Sequence, residues 1–560
     1  KQMKVILTSL NSKYVHSNLA IRYLKEYCSE YYEGIELTIK EYTINDNLMD
    51  VSMELLIENP DVIVFSCYIW NIEQTLKICS TLKEINGSLR IILGGPEVSY
   101  DSEDIMKKNS FIDFIIQGEG EVTLAETLKV LKNNGRNLNI EGLVYRDKKD
   151  VIVNPPRELI QDLNIIPFPY RNEIPDKIVY YEASRGCPFN CAYCLSSTIK
   201  GVRYFDINRV KKDLKHFVDN KVRLVKFVDR TFNSNKKFAT EILEFLIKNK
   251  DETKFHFEIA ADILDDEMLK LLSTAPEDLF QFEVGVQTTN PEVLKNINRI
   301  MNFEKIKENI SKIKEFGNIH CHLDLIAGLP GESFDSFKKS FDMCMEIKPD
   351  VLQLGFLKVL KGCKIYYDKE LYGIKNINFP PYQVLCTEAI SLDEMDKLLK
   401  FEEVFESYYN SGIFKITMDY MLSFTESKFD ILFEFYEYLY CNGYFKRKFD
   451  LRDRFKFLFD FAKEKYDNEI LKDLMLHDFL INTKKSSVPI FLKRQESPDL
   501  KEIVGCQKEN VKDHLKQENT KKIAYFNVNY KVKKSTNGYD VVKDEAVMAL
   551  NLENGDYTYI

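Results

Sequence analysis

Hydrophobic positions along most of the chain follow two alternating periods, which predict short strands followed by amphipathic helices. The region 177–371 contains six runs rich in β-branched and aromatic residues, from "KIVYYEAS" to "VLQLGFLKV". Helical stretches such as "KKFATEILEFLIKNK" separate these runs. Because parallel strands need crossover connections, the alternation predicts a partial (βα)6 barrel. Functional residues of such a barrel are expected at the carboxyl ends of its strands.

The region 1–155 shows a similar alternation and predicts a separate, doubly wound (Rossmann-like) sheet. Its predicted strands include "KVILTSL", "DVIVFSCYIW" and "RIILGGPEVS". Such sheets bind ligands beyond the carboxyl ends of their strands, and glycines occur at these ends. Glycine lets a flat or bulky ligand approach the backbone. On these turns alone, a nucleotide site remains an alternative. The two turns consist of Gly94, Gly95 and Pro96 and of Gly118, Glu119 and Gly120.

The remaining segments are predicted from changes in composition. A Pro-rich stretch at 156–176 is interpreted as a linker, and 372–495 as a mainly helical C-terminal domain rich in aromatic residues. The final segment, 496–560, is interpreted as a linker and a short β-rich tail. The basic run "KRKFDLRDRFKFLF" is interpreted as a solvated helix face rather than an RNA contact, because Asp residues interrupt it.

Length, charge and cysteine usage narrow the class of protein. A chain of 560 residues is long enough for three or more domains, and its formal net charge of −9 is small for this length. No run of about eighteen apolar residues predicts a membrane span. The start of the sequence lacks the features of a secretion signal. Its twelve cysteines are therefore expected to be thiols in a reducing cytoplasm.

Three cysteines stand close together in "EASRGCPFNCAYC", at Cys187, Cys191 and Cys194. A structural zinc site needs four protein ligands, and the next cysteine along the chain is distant. A ferredoxin would need a tighter run of four cysteines. Three thiolates on one loop can instead bind three irons of a 4Fe–4S cluster and leave the fourth iron open. An open iron can bind a substrate or cofactor.

The spacing C-x3-C-x2-C, with Tyr193 before the last cysteine, resembles the radical S-adenosylmethionine (SAM) superfamily. The resemblance implies that Cys187, Cys191 and Cys194 bind a 4Fe–4S cluster whose open iron chelates SAM. It also implies that an electron from the cluster cleaves SAM to a 5′-deoxyadenosyl radical. Tyr193 is then expected beside the cofactors.

Four strand-end motifs, "FHFEIAAD", "FEVGVQTTN", "NINR" and "LDLIAGLPGE", resemble one branch of the superfamily. That branch includes coproporphyrinogen dehydrogenase and the tRNA methylthiotransferases. The resemblance implies that one carboxylate binds the SAM amino group, an amide and a second carboxylate bind its ribose, and an arginine binds its carboxylate. In that order, the residues are Glu258, Gln287, Asp324 and Arg299. The turn "FVDRTFN" departs from many relatives, and Asp229 and Arg230 in it have no assigned role.

The strand "IHCHLDLIAG" shows how these side chains are expected to point. Because strand residues alternate between faces, Leu323 and Leu325 share one face, and His320, His322 and Asp324 share the other. The leucines are expected to face the helices, which places the polar residues in the barrel lumen. Structural roles remain alternatives for all three polar residues.

The order of turns in the first region resembles the cobalamin-binding domain that precedes many radical SAM barrels. The resemblance rests on Ser66 after one predicted strand, on the Gly94–Pro96 turn and on the "GEGE" turn. It implies that these residues bind cobalamin. The Asp-x-His-x-x-Gly motif of other cobalamin proteins is absent from the sequence. His16 is a possible lower ligand of cobalt, but the resemblance favours cobalamin held without a protein histidine.

These resemblances predict a cobalamin-dependent radical SAM enzyme, most plausibly a methyltransferase acting on an unactivated carbon. Ring contraction or reduction with the same cofactors is one alternative, and a non-catalytic iron–sulfur electron carrier or sensor is another. A small molecule or peptide is favoured over RNA as the substrate, because no RNA-binding barrel is evident. An external electron donor such as flavodoxin or ferredoxin is expected.

Overall fold

The computed structural model describes residues 2–135, 137–494, 500–517, 519, 522–535 and 538–560. The chain forms two compact units. The first consists of Lys1–Ser333 and Gly355–Leu392, and the second of Phe334–Leu354 and Asp393–Ile560. Every residue predicted to bind a cofactor therefore belongs to the first unit.

The first sheet has seven strands. In chain order they are β1 (Met3–Asn11), β2 (Ile35–Thr43), β3 (Val62–Ser66), β4 (Arg90–Gly94), β5 (Phe114–Ile116), β6 (Leu143–Asp147) and β7 (Asp150–Val153). Their order across the sheet is β2-β1-β3-β4-β5-β6-β7. The first five are parallel, and β6 and β7 are antiparallel. The parallel part confirms the predicted doubly wound sheet, whereas β2 and the β6–β7 hairpin were not among the predicted strands.

Helices cover both faces of this sheet. They are α1 (Leu19–Tyr31), α2 (Leu48–Ile57), α3 (Ile72–Ile85), α4 (Pro96–Ser99), α5 (Ser102–Lys108) and α6 (Gly120–Lys132). Alternate residues of β1 enter two different hydrophobic cores, with Ile6 in one and Val5 in the other. From β1, the chain adds β2 on one side and β3 and the later strands on the other, so the order of the strands switches between β1 and β3. Doubly wound sheets bind ligands beyond the carboxyl ends of the strands at such a reversal.

The second sheet has six strands, which confirms the predicted partial barrel. Together with two small hairpins, the strands of this region are β8 (Val179–Tyr181), β9 (Ser184–Cys187), β10 (Gly201–Tyr204), β11 (Leu224–Phe227), β12 (Lys254–Ile259), β13 (Phe280–Gln287), β14 (His320–Ala327), β15 (Val351–Phe356), β16 (Lys375–Asn376) and β17 (Val384–Cys386). Strands β8, β11, β12, β13 and β14 are neighbours in that order and run parallel. Strand β15, the sixth, spans the division between the two units.

Helices connect these strands as the alternation predicts. They are α7 (Ile207–Asp219), α8 (Lys236–Lys248), α9 (Asp266–Leu272), α10 (Pro291–Asn296), α11 (Phe303–Phe316), α12 (Phe334–Glu346) and α13 (Lys364–Asp368). Helix α12 belongs to the second unit. The Pro-rich stretch 156–176 contains one 3-10 turn, Leu163–Ile165, and no strand or α-helix.

The second unit is mainly helical up to about residue 515, as predicted. Its further elements are α14 (Leu392–Phe405), α15 (Lys415–Leu422), α16 (Lys428–Cys441), α17 (Leu451–Ala462), α18 (Asn468–Thr483), α19 (Leu500–Leu515), β18 (Ile523–Ser535), β19 (Gly538–Asn551) and β20 (Tyr557–Tyr559). The three strands form an antiparallel sheet and confirm the predicted β-rich tail.

The predicted linker at the start of 496–560 is wrong over Leu500–Leu515, which forms α19. Val511 and Leu515 of this helix are buried against Ile523 and Ala549. The many lysines around these positions conceal the apolar stripe in the sequence. Residues 495–499, 518, 520 and 521 lie outside the described residues. None of the described helices combines the length and the apolar composition needed to cross a bilayer.

Candidate functional site

The predicted cobalamin residues lie at the carboxyl edge of the first sheet. Ser66 is the last residue of β3 and is level with Gly94, the last residue of β4. Gly95 follows with a φ of 107°, and Pro96 begins α4. Gly118 has a φ of 71° in the turn between β5 and α6. The structure thus brings these turns together at the edge where such sheets bind ligands.

The space around each glycine at this edge differs, as the position of an added Cβ shows. A Cβ at Gly95 would lie 2.5 Å from the Cys67 carbonyl oxygen, so the fold itself requires glycine there. A Cβ at Gly120 would lie 3.3 Å from Leu24 Cδ2, where α6 packs on α1. A Cβ at Gly118 would meet no atom within 4 Å. The backbone around Gly118 is therefore open, as the binding of a bulky cofactor at this turn requires.

His16 follows β1 at the same edge and connects it to the barrel. Its Nδ1 is 2.7 Å from the Tyr180 hydroxyl on β8, and its backbone forms an isolated β-bridge with Ile178. Burial lowers the pKa of His16, and the charges of Lys226 and Lys13 lower it further. A neutral imidazole is therefore favoured at this position. Its role as a lower cobalt ligand remains a prediction.

A network of buried ion pairs joins the "GEGE" turn to the start of the cysteine loop. The Arg185 guanidinium contacts Glu182 at 2.7 Å, Glu119 at 3.2 Å and Glu121 at 2.6 Å. Arg203 reaches Glu119 at 2.9 Å. Burial opposes ionisation of Glu119, but Arg203 and Arg185 together lower its pKa. Glu119, predicted as a cobalamin contact, is thus held by two arginines, and we call this network the arginine junction.

An aromatic pair that the sequence analysis did not identify lies at the same edge. Tyr68 and Trp70, just after β3, are stacked with their ring centroids 4.4 Å apart and an interplanar angle of 4°. Trp70 is 43% exposed. Burial raises the pKa of the Tyr68 hydroxyl, and the positive charge of Arg230 opposes this rise. A flat, partly exposed aromatic surface therefore borders the ligand edge.

The cysteine loop is closed at its base by the β9–β10 hairpin, in which Cys187 is paired with Gly201. Cys187, Cys191 and Cys194 are all free thiols, and Cys191 is buried. The Cys187 Sγ is 3.7 Å from the Thr231 Oγ1. Among the described residues, no three His, Cys, Asp or Glu side chains are grouped closely enough for a single metal ion. In a 4Fe–4S cluster each thiolate binds a different iron, so the three sulfurs need not converge on one point.

Asp229, which had no assigned role, supports the entry to this loop. Its carboxylate accepts hydrogen bonds from the Ala183 backbone N–H at 2.9 Å and the Ser184 hydroxyl at 2.5 Å. Burial raises its pKa to about 7. Asp229 therefore links the turn after β11 to the strand that leads into Cys187.

Arg299 lies between the cysteine loop and the end of β13. Its Nη1 is 3.6 Å from Cys191 Sγ and 3.4 Å from the Tyr193 hydroxyl, and its Nη2 donates to the Gly285 carbonyl oxygen. Burial raises the pKa of Cys191, whereas Arg299 opposes this rise. A Cβ at Gly285 would clash with the Gln287 amide. The lack of a side chain at Gly285, which the sequence analysis did not single out, thus leaves room for the Gln287 amide in this position.

Three of the four predicted SAM residues carry buried polar atoms that have no partner. These atoms are Gln287 Oε1, Arg299 Nε and Asp324 Oδ1. Gln287 also has a φ of 70°, a strained conformation of the kind found at functional sites. Burial raises the pKa of Glu258 to about 7 and raises that of Asp324 well above its usual range. Unsatisfied groups of this kind fit a polar cofactor that would complete their hydrogen bonds.

The lumen-facing side of β14 confirms the predicted alternation. Leu323 and Leu325 are fully buried, whereas His320, His322 and Asp324 are partly exposed. The same alternation occurs along β13. Polar side chains therefore continue from the predicted SAM residues down into the barrel.

Comparison with protein families gives three matches along the chain. The B12 binding domain matches residues 5–128, and the radical SAM superfamily matches residues 181–344. Residues 370–548 match a protein of unknown function, DUF4080. The first two matches cover the ligand edge of the first sheet and the cysteine loop with its barrel. The chain therefore contains a B12 binding domain followed by a radical SAM domain.

Relatives agree with this family. The enzyme is 25% identical over 375 residues to an uncharacterized methyltransferase, PH0819, from Pyrococcus horikoshii, over 63% of this chain and 79% of the relative. It is 25% identical over 348 residues to the cobalamin-dependent radical SAM methyltransferase TokK from Streptomyces tokunonensis. That match covers 57% of this chain and 50% of TokK. The chain thus spans most of one relative and half of the other.

A solved structure supports the fold. OxsB, a cobalamin-dependent SAM radical enzyme solved with aqua-cobalamin and SAM, has a TM-score of 0.59 and 16% identity to this enzyme. The similarity covers 85% of this chain and 78% of OxsB. The predicted cofactor classes, cobalamin and SAM with a 4Fe–4S cluster, are confirmed at the level of the domains. The roles of single residues remain predictions.

Proposed function

We propose that this B12-binding radical SAM enzyme is a methyltransferase that acts on an unactivated carbon atom. The observation that carries the proposal is the joining of the cobalamin edge to the cysteine loop by the arginine junction. The contact between His16 and Tyr180 joins the same edge to the barrel lumen. A substrate in the lumen could therefore lie within reach of both cofactor sites. The names of the relatives PH0819 and TokK, both methyltransferases, support methyl transfer.

The iron–sulfur cluster and cobalamin each have a set of residues that would hold them. Cys187, Cys191 and Cys194 would bind the cluster. The turns at Ser66, Gly94–Pro96 and Gly118–Gly120 would receive cobalamin. When bound, the cluster, SAM and cobalamin supply reductive cleavage of SAM and a transferable methyl group.

The side chains predicted to bind SAM supply charged and polar groups that would hold it in place. Arg299 presents a guanidinium with a free Nε, which suits the SAM carboxylate. Glu258, with its pKa of about 7, becomes the acceptor that an ammonium needs once a positive charge lies beside it. Asp324 is held protonated by burial and by the neighbouring Glu283 and Glu258, so it can donate as well as accept hydrogen bonds.

Methyl incorporation tests the proposal. The chain is purified anaerobically, reconstituted with iron, sulfide and cobalamin, and supplied with flavodoxin and its reductase. It is then incubated with SAM labelled in the methyl group and with a small-molecule cell extract. We expect a labelled product whose formation requires cobalamin. The Cys187→Ala variant provides the control without a complete cluster.

The alternative functions give different results in the same assay. Ring contraction or reduction would produce 5′-deoxyadenosine but no labelled product. A non-catalytic electron carrier or sensor would produce neither. Either result would contradict the proposed methyl transfer.

A further inference from the structure

Five neighbouring barrel strands each place one polar residue in the same layer of the lumen. In the parallel register, Tyr180 of β8 is level with Lys226 of β11, and Lys226 is level with His256 of β12. His256 is level with Gln281 of β13, and Gln281 is level with His320 of β14. Every one of these side chains can donate a hydrogen bond. We call these five residues the donor ring.

The lumen at the donor ring differs from that of an ordinary closed barrel. Closed (βα)8 barrels fill this space with layers of branched apolar side chains. Here Gln281 and Glu283 of β13 and His320 and His322 of β14 are polar and partly exposed, whereas the alternate residues of both strands are buried. Tyr180 and Lys226 are partly exposed as well. Four of the five ring side chains are therefore partly accessible to solvent, and His256 is buried.

Lys226 carries a positive charge that no carboxylate among the described residues contacts directly. Within the described part of the chain, its ammonium makes no hydrogen bond or ion pair. Glu283 is already bonded to His256, at 3.2 Å, and this bond lowers the pKa of Glu283. Burial raises the pKa of Glu258 to about 7 and raises that of Asp324 well above its usual range. The charge of Lys226 favours ionisation of Glu283, Glu258 and Asp324, but none of these three described acids forms an ion pair with it.

A second ring member also has unused hydrogen-bonding capacity. His256 is 3% exposed, and its Nδ1 is buried without a partner. Leaving such an atom unpaired costs roughly 1–3 kcal/mol. Because the Glu283 carboxylate can only accept, His256 Nε2 carries the proton of that contact, and Nδ1 of the neutral ring needs a donor. A ligand beside these residues would satisfy both groups if an anionic oxygen accepts from Lys226 and a hydroxyl of the same ligand donates to Nδ1.

We propose that the donor ring is an anion-binding subsite that receives a carboxylate or phosphate group of the methyl acceptor. This substrate class rests on the proposed function, because the acceptor has to enter the same lumen as far as the SAM residues. The contact of Tyr180 with His16 places the subsite beside the cobalamin edge. The anionic group would fix the orientation of the substrate, and its reacting carbon would face the strand ends.

Protection of Lys226 from acylation tests the subsite directly. The holoenzyme with cluster, cobalamin and SAM is treated with a limiting amount of N-hydroxysuccinimidyl acetate at constant ionic strength. Acetate, inorganic phosphate, acetamide or tetramethylammonium is present as the probe. Modification of each lysine is measured by mass spectrometry, with the partly exposed Lys25 of α1 as the control.

We expect acetate or phosphate to slow acylation of Lys226 at least threefold and saturably, with Lys25 unaffected. Acetamide and tetramethylammonium should not slow it. Protection by acetate alone would assign a carboxylate, by phosphate alone a phosphate, and by both a site for either group. Equal acylation of Lys226 with and without both anions would overturn the proposal.

The Lys226→Gln variant separates this proposal from the proposed function. In the labelled-methyl assay, wild-type product should be retained by anion exchange at neutral pH. The variant should keep its iron and cobalamin but show at least a tenfold higher KM for that substrate. Label found only in neutral or cationic products would overturn the anionic substrate class and leave methyl transfer intact. If no product is labelled, methyl transfer is contradicted, and the acylation experiment still decides the subsite.

Discussion

Cys363 shows by contrast what is special about the three cysteines of the loop. It is fully buried and packs in one hydrophobic cluster with Tyr193 and Leu195, the chain neighbours of Cys194. Burial, with a contribution from Cys194, raises the pKa of Cys363 to about 12. It therefore remains a thiol, which is a poor iron ligand. Burial also raises the pKa of Cys191, but the Arg299 guanidinium beside it opposes this rise.

This contrast gives the first prediction. Changing Cys187, Cys191 and Cys194 together to Ala should remove the bound iron and the broad visible absorption of the reconstituted enzyme, because thiolates are the required ligands. Cys363→Ala is the matched control and should retain both. Iron content and absorption spectra measure the outcome. Full iron retention in the triple variant would contradict the cluster assignment.

Asp229 makes stability depend on pH in a defined direction. Its folded pKa of about 7 lies above the ordinary value of about 3.9, so the folded state binds the proton more tightly than the unfolded state. Its contribution to stability is complete below about pH 4 and is lost as pH rises through about 7. Asn at this position can still accept from the Ala183 N–H and donate to the Ser184 hydroxyl.

The second prediction compares Asp229→Asn with wild type at pH 5 and pH 8. The variant should gain stability relative to wild type by roughly 2–4 kcal/mol between these values, because Asn has no charge to bury. Other acids with raised pKa occur in both proteins and cancel in the difference. Thermal or denaturant unfolding measures the effect. If the variant and wild type differ in free energy of unfolding by the same amount at pH 5 and pH 8, Asp229 does not titrate as described.

At the scale of elements, the strands were predictable and the contacts between distant turns were not. Alternation identified all six barrel strands, but it did not identify β2 (Ile35–Thr43), whose residues are mostly half-buried at a sheet edge. Glu119 and Arg185 are 66 residues apart in sequence. Only folding brings them together, and nothing in the "GEGE" turn distinguishes a carboxylate that binds arginine from one that faces a cofactor. Thr231 and Gly285 were missed for the same reason.

The arginine junction is the basis of the third prediction. Arg185→Ala would leave Glu121 and Glu182 buried without their cation, which costs roughly 3–5 kcal/mol for a buried pair. Arg185→Lys should recover only part of this loss, because an ammonium cannot reproduce the planar guanidinium fork. We expect a lower midpoint of thermal unfolding and loss of iron during anaerobic gel filtration. Arg157→Ala, which removes the more exposed pair with Glu126, is the control. Equal behaviour of the two Ala variants would show that the junction does not hold the loop.

The turn between β5 and α6 carries the fourth prediction. Gly118→Ala would add a Cβ in open space at a φ of 71°, and Gly317→Ala would do the same at a φ of 72° after α11. Both variants should lose about 1 kcal/mol of stability through backbone strain. Only Gly118→Ala should also weaken cobalamin binding, by about tenfold or more, as measured by equilibrium titration of the reduced, light-protected protein. Unchanged affinity would remove this turn from the cobalamin site.

On the scale of the whole molecule, the residues predicted to bind cofactors are confined to one of the two compact units. All residues predicted to bind the cluster, SAM and cobalamin lie in the first unit, whereas the second has a core of its own. Chains with more than one such unit often unfold in several steps. A ligand that binds only one folded unit stabilises that unit by mass action.

The fifth prediction follows from this arrangement. In calorimetry combined with hydrogen exchange, cobalamin at about 100 times its Kd should stabilise peptides of the first unit by about 2.7 kcal/mol. Peptides from α16 and α17 of the second unit should exchange as they do without cobalamin. The Gly118→Ala variant provides the control, because its first unit should respond only at higher cobalamin concentrations. Equal protection of both units would show that the second unit folds as part of the cobalamin-binding structure. Such a result would assign the second unit a direct part in holding the cofactor, which none of its described residues indicates on its own.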